Sequence, residues 1–454
     1  MAVADQTYSY LAPSQAEPSE GRFEVALATS GGETLHPYFF SGFIGQPRQA
    51  AQALLVVAEV ARTRYFEPAA MVRARIMAAD PIVTSSGDRL RFESFSLCCG
   101  VHTRLDLEPA ALDGAFAAWG TTNVDFNSTM RGALASVSDS DAMLLRVGDD
   151  ELSVTTTQGH AVERKVPLPE RWVKGLAEVQ VACASMALRH ELPVVEARRF
   201  LQSLPRSRAG LAWAVPTRGG LRLASRPDAS AVCLAGAERL RLLEKLLPFG
   251  RSLRVYGPDP EANTQRAPEP SAWELVMPDA RITFTLSPEI YRGFSGEGGV
   301  LFDLAAAQDE VVDEVAHVLH GDPAIDIAAV AASVAAPAGE VEAALAALAA
   351  AGRVGYDVGR QAFFHRELPF ERSVLETMHP RLLGARRLLD EGAVRFESGG
   401  NAAEVRSGDV DYLVRFDANG PRCTCPWYVK HSGTRGPCKH VLAAELARTR
   451  SPAA

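Results

Sequence analysis

The sequence predicts an α+β protein of several domains with a small cysteine-bearing module at its C-terminus. Its 454 residues exceed what one core usually holds, and domains of about 100–200 residues predict two to four of them. Short runs that alternate apolar and polar residues are interleaved with a few runs of helical period. Three of the seven cysteines fall within the last 32 residues. Together these observations predict a large mixed platform followed by smaller modules.

The platform is predicted to span residues 22–300, after a flexible N-terminus over residues 1–21. A helix is expected from about Pro47 to Phe66, because QAAQALLVVAEVA repeats apolar residues at three-to-four spacing and lacks glycine. Runs such as LRVGDDELSVTTT, GLAWAVP and ARITFTLS have strand composition with turn residues at their ends. The two prolines of KVPLPERWVKGLAE predict a connector near 165–180 that would divide the platform into two subdomains.

The composition disfavours three classes: proteins drawn to nucleic acid by their overall charge, secreted disulfide-bonded proteins and membrane proteins. The chain has 47 basic and 55 acidic residues, so no whole-chain field draws it to phosphate backbones, and any nucleic-acid binding must be local. The start has no basic segment leading into an apolar one, and the most apolar runs are Ala-rich and shorter than the roughly 20 residues of a membrane span. The odd cysteine count is not typical of a secreted disulfide framework. We therefore expect a cytoplasmic protein with no membrane partner.

Residues 301–370 predict a compact helical module. Helical apolar stripes cover 310–320, 325–335 and 339–351, and GRVGYDVGRQAFFHR then predicts a hairpin turning near Gly359. Three short helices and a hairpin resemble a winged-helix module, whose third helix usually enters the major groove of DNA.

The charges of this module favour a contact with protein, or a purely structural role. The only charges of its third helix are Glu340 and Glu342, so it lacks the basic and amide side chains that read bases. The basic residues of the module are instead expected on a solvated hairpin, namely Arg353, Arg360, His365 and Arg366.

The C-terminal segment 380–450 carries the clearest chemistry. An amphipathic stretch and three probable strands precede Cys423, Cys425, Cys438 and His440, in the spacing C-x-C-x12-C-x-H. Three thiolates and one imidazole satisfy the tetrahedral preference of Zn²⁺, and four protein ligands leave no position open for catalysis. A turn after the first cysteine should bring the first pair together, and the second pair should lie at the start of a helix. We therefore predict one structural zinc ion, with His431 inside the loop as the competing ligand.

This pattern, framed by strands and closed by a helix, resembles the SWIM zinc-finger family, and CPW and GPCKH look like its bacterial members in particular. The resemblance carries the four ligands over without departure. It implies a small β-hairpin/helix zinc finger that docks on nucleic acid or on a protein. One strong metal motif without an accompanying catalytic constellation further predicts that the acidic body is an adaptor platform. It also implies MoxR-type AAA+ ATPases and von Willebrand factor A-domain proteins as partners.

The finger is a basic tip on an acidic chain. From Pro421 onward there are six basic residues and one acidic residue, Glu445. Aromatic residues interleaved with bases can stack on exposed nucleobases and neutralise phosphates. They can equally form the packing and the solvated rim of the finger. The candidate contacts to nucleic acid or another partner are Trp427, Tyr428, Lys430, Arg435 and Lys439.

The alternative is an enzyme with an unrecognised site in residues 22–300 and the finger as a targeting module. Its candidates are Cys98 or Cys99 with His102, together with Arg292 in the Gly-rich run LSPEIYRGFSGEGG. That run matches no phosphate-binding motif, and we interpret it as an interdomain turn. His317 and His320, at i and i+3, are interpreted as helix-surface residues. We predict an adaptor without catalytic activity.

Overall fold

The computed structural model describes residues 15–19, 22–26, 38–65, 81–124, 126–148, 151–157, 159–164, 170–258, 268–296, 298–302, 309–368, 379–417, 420–433 and 435–450. Its α-helices are α1 (Pro47–Arg62), α2 (Ser128–Ser136), α3 (Glu170–Ala184), α4 (Val194–Ser203), α5 (Asp309–Val318), α6 (Ile327–Ser333), α7 (Ala338–Ala350), α8 (Pro380–Asp390), α9 (Pro426–His431) and α10 (Lys439–Arg450).

The strands of the first half of the chain are β1 (Gln15–Ser19), β2 (Arg22–Ala26), β3 (Phe40–Ile44), β4 (Ile82–Ser85), β5 (Leu90–Phe95), β6 (Val101–Leu107), β7 (Leu112–Phe116), β8 (Gly120–Asn123), β9 (Leu144–Val147), β10 (Glu151–Thr156) and β11 (Gly159–Arg164). The remaining strands are β12 (Met186–Pro193), β13 (Leu211–Thr217), β14 (Gly220–Ala224), β15 (Val232–Ala235), β16 (Ser252–Pro258), β17 (Ser271–Met277), β18 (Ala280–Leu286), β19 (Val354–Asp357), β20 (Ala362–His365), β21 (Val394–Phe396), β22 (Ala402–Ser407), β23 (Val410–Asp417) and β24 (Gly420–Cys423).

The platform is organised around an antiparallel sheet with the order β12-β16-β17-β18-β6-β5-β4-β8. At its middle β6 pairs with β18, from Val101 opposite Leu286 to Leu107 opposite Ala280. The strands outward from this pair form two meanders, β4–β5–β6, which follows α1, and β16–β17–β18, which follows a 3-10 helix at Ala237–Leu246. The edge strands β8 and β12 each lead into a further helix, α2 or α4. The sheet therefore consists of two halves joined edge to edge, each a three-stranded meander with one further strand at its outer edge.

One face of this sheet is apolar and packs against α1. Along β5, Leu90 and Phe92 point to this face, because successive strand residues alternate sides. The helix presents Leu54 and Val57 to the same core, and Pro47 lies at its first turn, where a missing N–H costs nothing. The predicted helix is thus confirmed, although it ends at Arg62 rather than near residue 66.

The opposite face of the same sheet carries charges, yet it is buried. Arg91 and Glu93 of β5, Arg104 of β6 and Arg281 of β18 are each less than 10% exposed. The module of residues 309–368 covers this face, and its helices share a core with apolar residues of the sheet such as Phe95. The charged face is therefore an internal interface.

The hairpin β19–β20 adds charges that pair with this face, so the expectation of a solvated hairpin is wrong for His365 and Arg366, which are buried, whereas Arg360 is exposed. Asp357 accepts hydrogen bonds from Arg104 at 2.9 Å and from Arg281 at 2.8 Å. Arg366, just after β20, is buried and donates to Glu93 at 2.5 Å.

The other charged residues expected on that hairpin are also engaged within the chain. His365 is buried, and its Nδ1 accepts the backbone N–H of Gly321. Arg360 pairs with Glu108 at 2.6 Å and Arg353 pairs with Glu367 at 2.9 Å. Arg360 thus contacts the sheet, whereas the Arg353–Glu367 pair lies within the module and is partly exposed.

Two segments near predicted boundaries differ from expectation. Residues 15–19, which were expected to be flexible, form β1, and β1 pairs with β2. Most of the connector predicted near 165–180 is the regular helix α3, whose Trp172 and Leu176 are buried in the core shared with the helical module. Residues 165–169 lie outside the described residues.

The helical module itself has the predicted order, α5, α6, α7 and then the hairpin β19–β20, within one or two residues of the expected bounds. Its assignment as a winged helix remains a prediction. Among the described residues, no single helix has the length and apolar character to cross a bilayer; α6 and α7 meet these criteria only as a pair bent by 105°.

The C-terminal module is a four-stranded sheet, β21-β22-β23-β24, packed against α8 and α10. The three predicted strands and the closing helix are present. Val405 and Val414 of the sheet, Leu382 of α8 and Leu442 of α10 are buried together in one core. The short strand β24 and the helix α9 were not predicted, and both lie directly beside the cysteines.

Candidate metal centre

The four predicted ligands are brought together at one end of this module. Cys423 ends β24, Cys425 caps the N-terminus of α9, Cys438 directly precedes α10, and His440 lies in the first turn of α10. All four are buried, and their ligand atoms lie within 4.8 Å of one another. The geometry thus follows the prediction of one pair at a turn and one pair at a helix start.

The distances fit a tetrahedral zinc ion. His440 Nδ1 lies 3.8 Å from the sulfur of Cys423 and 3.9 Å from that of Cys438. Zn–S bonds near 2.3 Å and Zn–N bonds near 2.0 Å in a tetrahedron require S···N separations of about 3.6 Å. Only small adjustments are needed to place an ion at the centre.

Backbone N–H groups are positioned to stabilise thiolates. Cys423 Sγ accepts the N–H of Cys425 at 3.5 Å, Cys425 Sγ that of Tyr428 at 3.4 Å, and Cys438 Sγ that of Val441 at 3.4 Å. Such donors stabilise the thiolate form of each cysteine. The positive end of the α10 dipole does the same at Cys438.

Without a cation the sulfurs compete for a single negative charge. The hydrogen bond from the Cys423 thiol lowers the pKa of Cys438 to about 4, with further donation from His440 and from the N–H of Val441. The same bond, together with burial and the charge on Cys438, raises the pKa of Cys423 well above its ordinary value. A dication removes this competition, since each thiol can then ionise as it binds.

The imidazole ligand is held by packing. The ring of His440 stacks on Tyr412 of β23 with ring centroids 4.4 Å apart. Tyr412 lies on the face of β23 that also carries Val414, as period-two alternation predicts. With four buried protein ligands and no position left for water, the module is a closed Cys3His zinc finger with one structural zinc ion.

Comparison with known proteins assigns this module. Residues 409–448 match the family model of the SWIM zinc finger, so the C-terminal segment is a SWIM zinc finger. Among curated proteins, none matches the sequence of this chain.

Solved structures of low similarity cover just over half of the chain. The proliferating cellular nuclear antigen of Entamoeba histolytica matches at 10% identity and a TM-score of 0.35, over 55% of this chain and 98% of its own. The PCNA2–PCNA3 complex of Sulfolobus tokodaii matches at 8% identity and a TM-score of 0.39, over 54% of this chain and 98% of its own. Similarity at this level carries no inference about function.

The predicted partner contacts do not form one exposed surface. Lys430 is exposed and Tyr428 is half-buried against the finger core. The guanidinium of Arg381 lies 4.7 Å from the centroid of the Trp427 ring, and the ring of His431 lies 4.8 Å from it. His431 thus packs against an aromatic ring, and it is not part of the ligand cluster.

The other two predicted contacts point inward. Arg435 donates to the carbonyl of Gly296 at 3.3 Å, and Lys439 donates to the hydroxyl of Ser407 at 2.9 Å. Sequence reasoning missed Arg381, which donates to the carbonyls of Arg435 and Pro437 at 2.7 and 2.8 Å and so ties α8 to the ligand loop. Its only signal in the sequence was a position near a helix start.

The side chains considered for catalysis are engaged in other contacts. Burial raises the pKa of Cys99 to about 12, so its thiol stays protonated. His102 is buried with its Nε2 3.2 Å from Glu93, and Cys98 lies 3.4 Å from the hydroxyl of Ser96. Arg292 pairs with Glu289 at 3.0 Å.

His317 and His320 of the helical module do not form a ligand pair on one helix face. The helix α5 ends at Val318, so His317 lies on it and His320 lies beyond its end. Both side chains are exposed. They therefore do not share a helix face as the spacing alone would have allowed.

Proposed function

We propose that this chain is a non-catalytic docking protein whose SWIM finger binds a partner through α9, with the acidic body as its platform. The observation that carries this proposal is Val429, which is 67% exposed. Among the large hydrophobic side chains that the structure describes, none is more exposed. Lys430 lies beside it and is also exposed.

The surrounding structure makes this exposed residue a rigid feature. Cys425 at one end of α9 and Cys438 beyond its other end are both ligands of the same ion. The ring of Trp427, which is also on α9, packs against the guanidinium of Arg381. A side chain held on a rigid surface loses little conformational entropy on binding, and this rigidity favours Val429 as the point of contact.

The inward placement of Arg435 and Lys439, and the packing of Trp427, favour a protein over a nucleic acid as the partner. These three residues are among the five candidates for stacking and phosphate contacts with a nucleic acid. The partners implied by the family resemblance, a MoxR-type AAA+ ATPase and von Willebrand factor A-domain proteins, are the first to test.

The test compares Val429→Asp with Val410→Asp, since Val410 is 49% exposed on the same finger but lies on β23. Tagged, zinc-loaded full-length variants are used to capture proteins from nuclease-treated lysate and to bind the purified candidates. We expect one set of partners to be lost with Val429→Asp and with Cys438→Ser, and retained with Val410→Asp. Equal capture by the two valine variants would contradict the proposal.

Nucleic acid is tested separately by fluorescence anisotropy with labelled single- and double-stranded DNA at low salt. Binding to DNA weakens with salt by roughly one unit of log–log slope for each phosphate contacted. A steep salt dependence that is lost when Lys430 is substituted would show that the finger binds a nucleic acid, and the proposed protein partner would then be wrong.

A further inference from the structure

A small cavity of about 170 Å³ lies where the finger meets the body. The body contributes Lys174 and Glu178 from α3, and the N-terminal end of α8 contributes His379 and Arg381. The ligand loop of the finger contributes Arg435. Segments that are distant in sequence thus converge on one space, and the zinc ion holds one of its walls in place.

The charge around the cavity is strongly positive. Lys174, Arg381 and Arg435 are cations, and Glu178 is the one carboxylate in the described lining. Glu178 already accepts the backbone N–H of Gly299 at 3.1 Å, and that of Val300 more weakly. Three cations and one carboxylate leave a net charge of +2 facing a space that an anion can enter.

Two donors line this cavity without a partner among the described atoms. His379 is only 8% exposed, and its Nε2 makes no hydrogen bond. The Nε of Arg435 is likewise buried and unbonded, although the other end of its guanidinium reaches Gly296. Buried polar groups in folded proteins almost always bind a protein group or an ordered water, so these two atoms are available to a bound anion.

The backbone adds to this field. The eleven-residue helix α8 begins at the cavity, and its cap residue His379 gives it no side-chain cap. The N-terminus of a helix carries a partial positive charge and attracts anions. The three cations, the two unpartnered donors and the N-terminus of α8 therefore all favour a negatively charged group in the cavity.

We propose that this cavity binds a phosphate group, with Lys174, His379 and Arg435 as donors and with Arg381 positioning the ligand loop. A dianion matches the net charge of the lining, and its oxygens accept the donors that the protein leaves unused. The ligand bridges α3 and the finger, so its binding stiffens the junction between them. This inference is independent of the docking role of α9.

The test is isothermal titration of inorganic phosphate into zinc-loaded full-length protein at constant ionic strength. Lys174→Gln and His379→Gln should each weaken binding by about tenfold or more, as the loss of a charge-assisted hydrogen bond predicts. Arg387→Gln is the matched control, because Arg387 is a cation of the same helix α8 whose side chain is 73% exposed. It should bind phosphate as the wild type does.

A pH series with sulfate, which stays a dianion, separates binding from a merely structural effect. Burial, with Lys174 and Arg381 nearby, lowers the pKa of His379 to about 4, so its imidazole is neutral near pH 7. A bound anion favours the imidazolium, and sulfate should bind more tightly as the pH falls from about 7 to about 5. The other charged groups in the lining, Glu178 and Arg435, are common to all variants. His379→Gln should abolish this pH dependence.

Competition by adenosine monophosphate and by a short oligonucleotide identifies the source of the phosphate. Displacement by the nucleotide alone indicates a small phosphate-bearing ligand, and displacement by the oligonucleotide indicates a backbone phosphate. The absence of phosphate binding to the wild type, or equal binding to all variants, would overturn the proposal. Neither result would bear on partner capture through Val429.

Discussion

Glu93 shows how a single buried charge depends on its neighbours. Burial alone would raise its pKa, but Arg366 and the hydrogen bond with His102 hold the pKa well below its usual range. Arg366 is also fully buried, and it donates to Glu93 across the interface between the sheet and the helical module. An ion pair of this kind is sensitive because neither partner has water as a substitute.

We therefore predict that Glu93→Gln destabilises the protein by about 3–5 kcal/mol, because it leaves Arg366 buried without a counter-charge. The matched control is Glu59→Gln, whose carboxylate pairs with Lys245 at the surface and should contribute less than about 1 kcal/mol. Urea denaturation followed by tryptophan fluorescence measures both. Equal midpoints for the two variants would show that the buried pair contributes little.

At the scale of secondary-structure elements, the hairpin β19–β20 is held to the sheet by Asp357. Burial would raise the pKa of this carboxyl, yet Arg104 and Arg281 keep it far below its ordinary value. A depressed pKa contributes stability above the unfolded-state pKa of about 3.9, and this stability is lost as the pH falls further. We predict that acidification below about pH 4 increases hydrogen exchange in β19–β20 before it does so in the meander β16–β17–β18.

Asp357→Asn should remove this difference, with faster exchange of the hairpin already at neutral pH, because the substitution removes the charge by which the hairpin pairs with Arg104 and Arg281 of the sheet. Glu367→Gln serves as the control, because its carboxylate pairs with Arg353 at a partly exposed position. Hairpin exchange that did not change with pH in the wild type would contradict the role given to Asp357.

The same hairpin shows what local sequence can and cannot predict. Its strands and its turn near Gly359 follow from alternation and turn residues, and they are present. Its surroundings do not follow, because Arg91, Glu93 and Arg104 alternate with apolar residues as on the solvated face of an antiparallel sheet. Only the covering module, more than 200 residues further along the chain, turns that face into an interface.

The zinc finger was easier to predict than the platform for a related reason. Metal ligands at fixed spacing specify a site within one short segment, whereas the platform depends on pairing between distant strands such as β6 and β18. The cavity between finger and body lay beyond prediction, because Lys174, His379 and Arg435 are brought together only by the complete fold.

At the scale of the whole molecule, the finger has a core largely its own. Its core joins the sheet β21–β24 to α8 and α10, and only a few body residues, among them Ala177 and Leu301, extend it. The two larger cores of the platform and the helical module contain none of the four ligands. Loss of the metal should therefore act on one part of the chain.

We predict that complete removal of zinc unfolds residues from about 392 onward and leaves the platform folded. Structural zinc in small fingers contributes roughly 10–16 kcal/mol of apparent binding free energy, which exceeds the stability of so small a core. Limited proteolysis and circular dichroism, with metal content measured in parallel, should show selective loss of the C-terminal segment. Cys438→Ser should behave like the metal-free protein, whereas His431→Ala should retain one zinc ion, because its ring packs on Trp427 outside the ligand cluster. Unchanged protease resistance after stoichiometric zinc loss would mean that packing alone holds the finger together, and binding through α9 would then not depend on the metal.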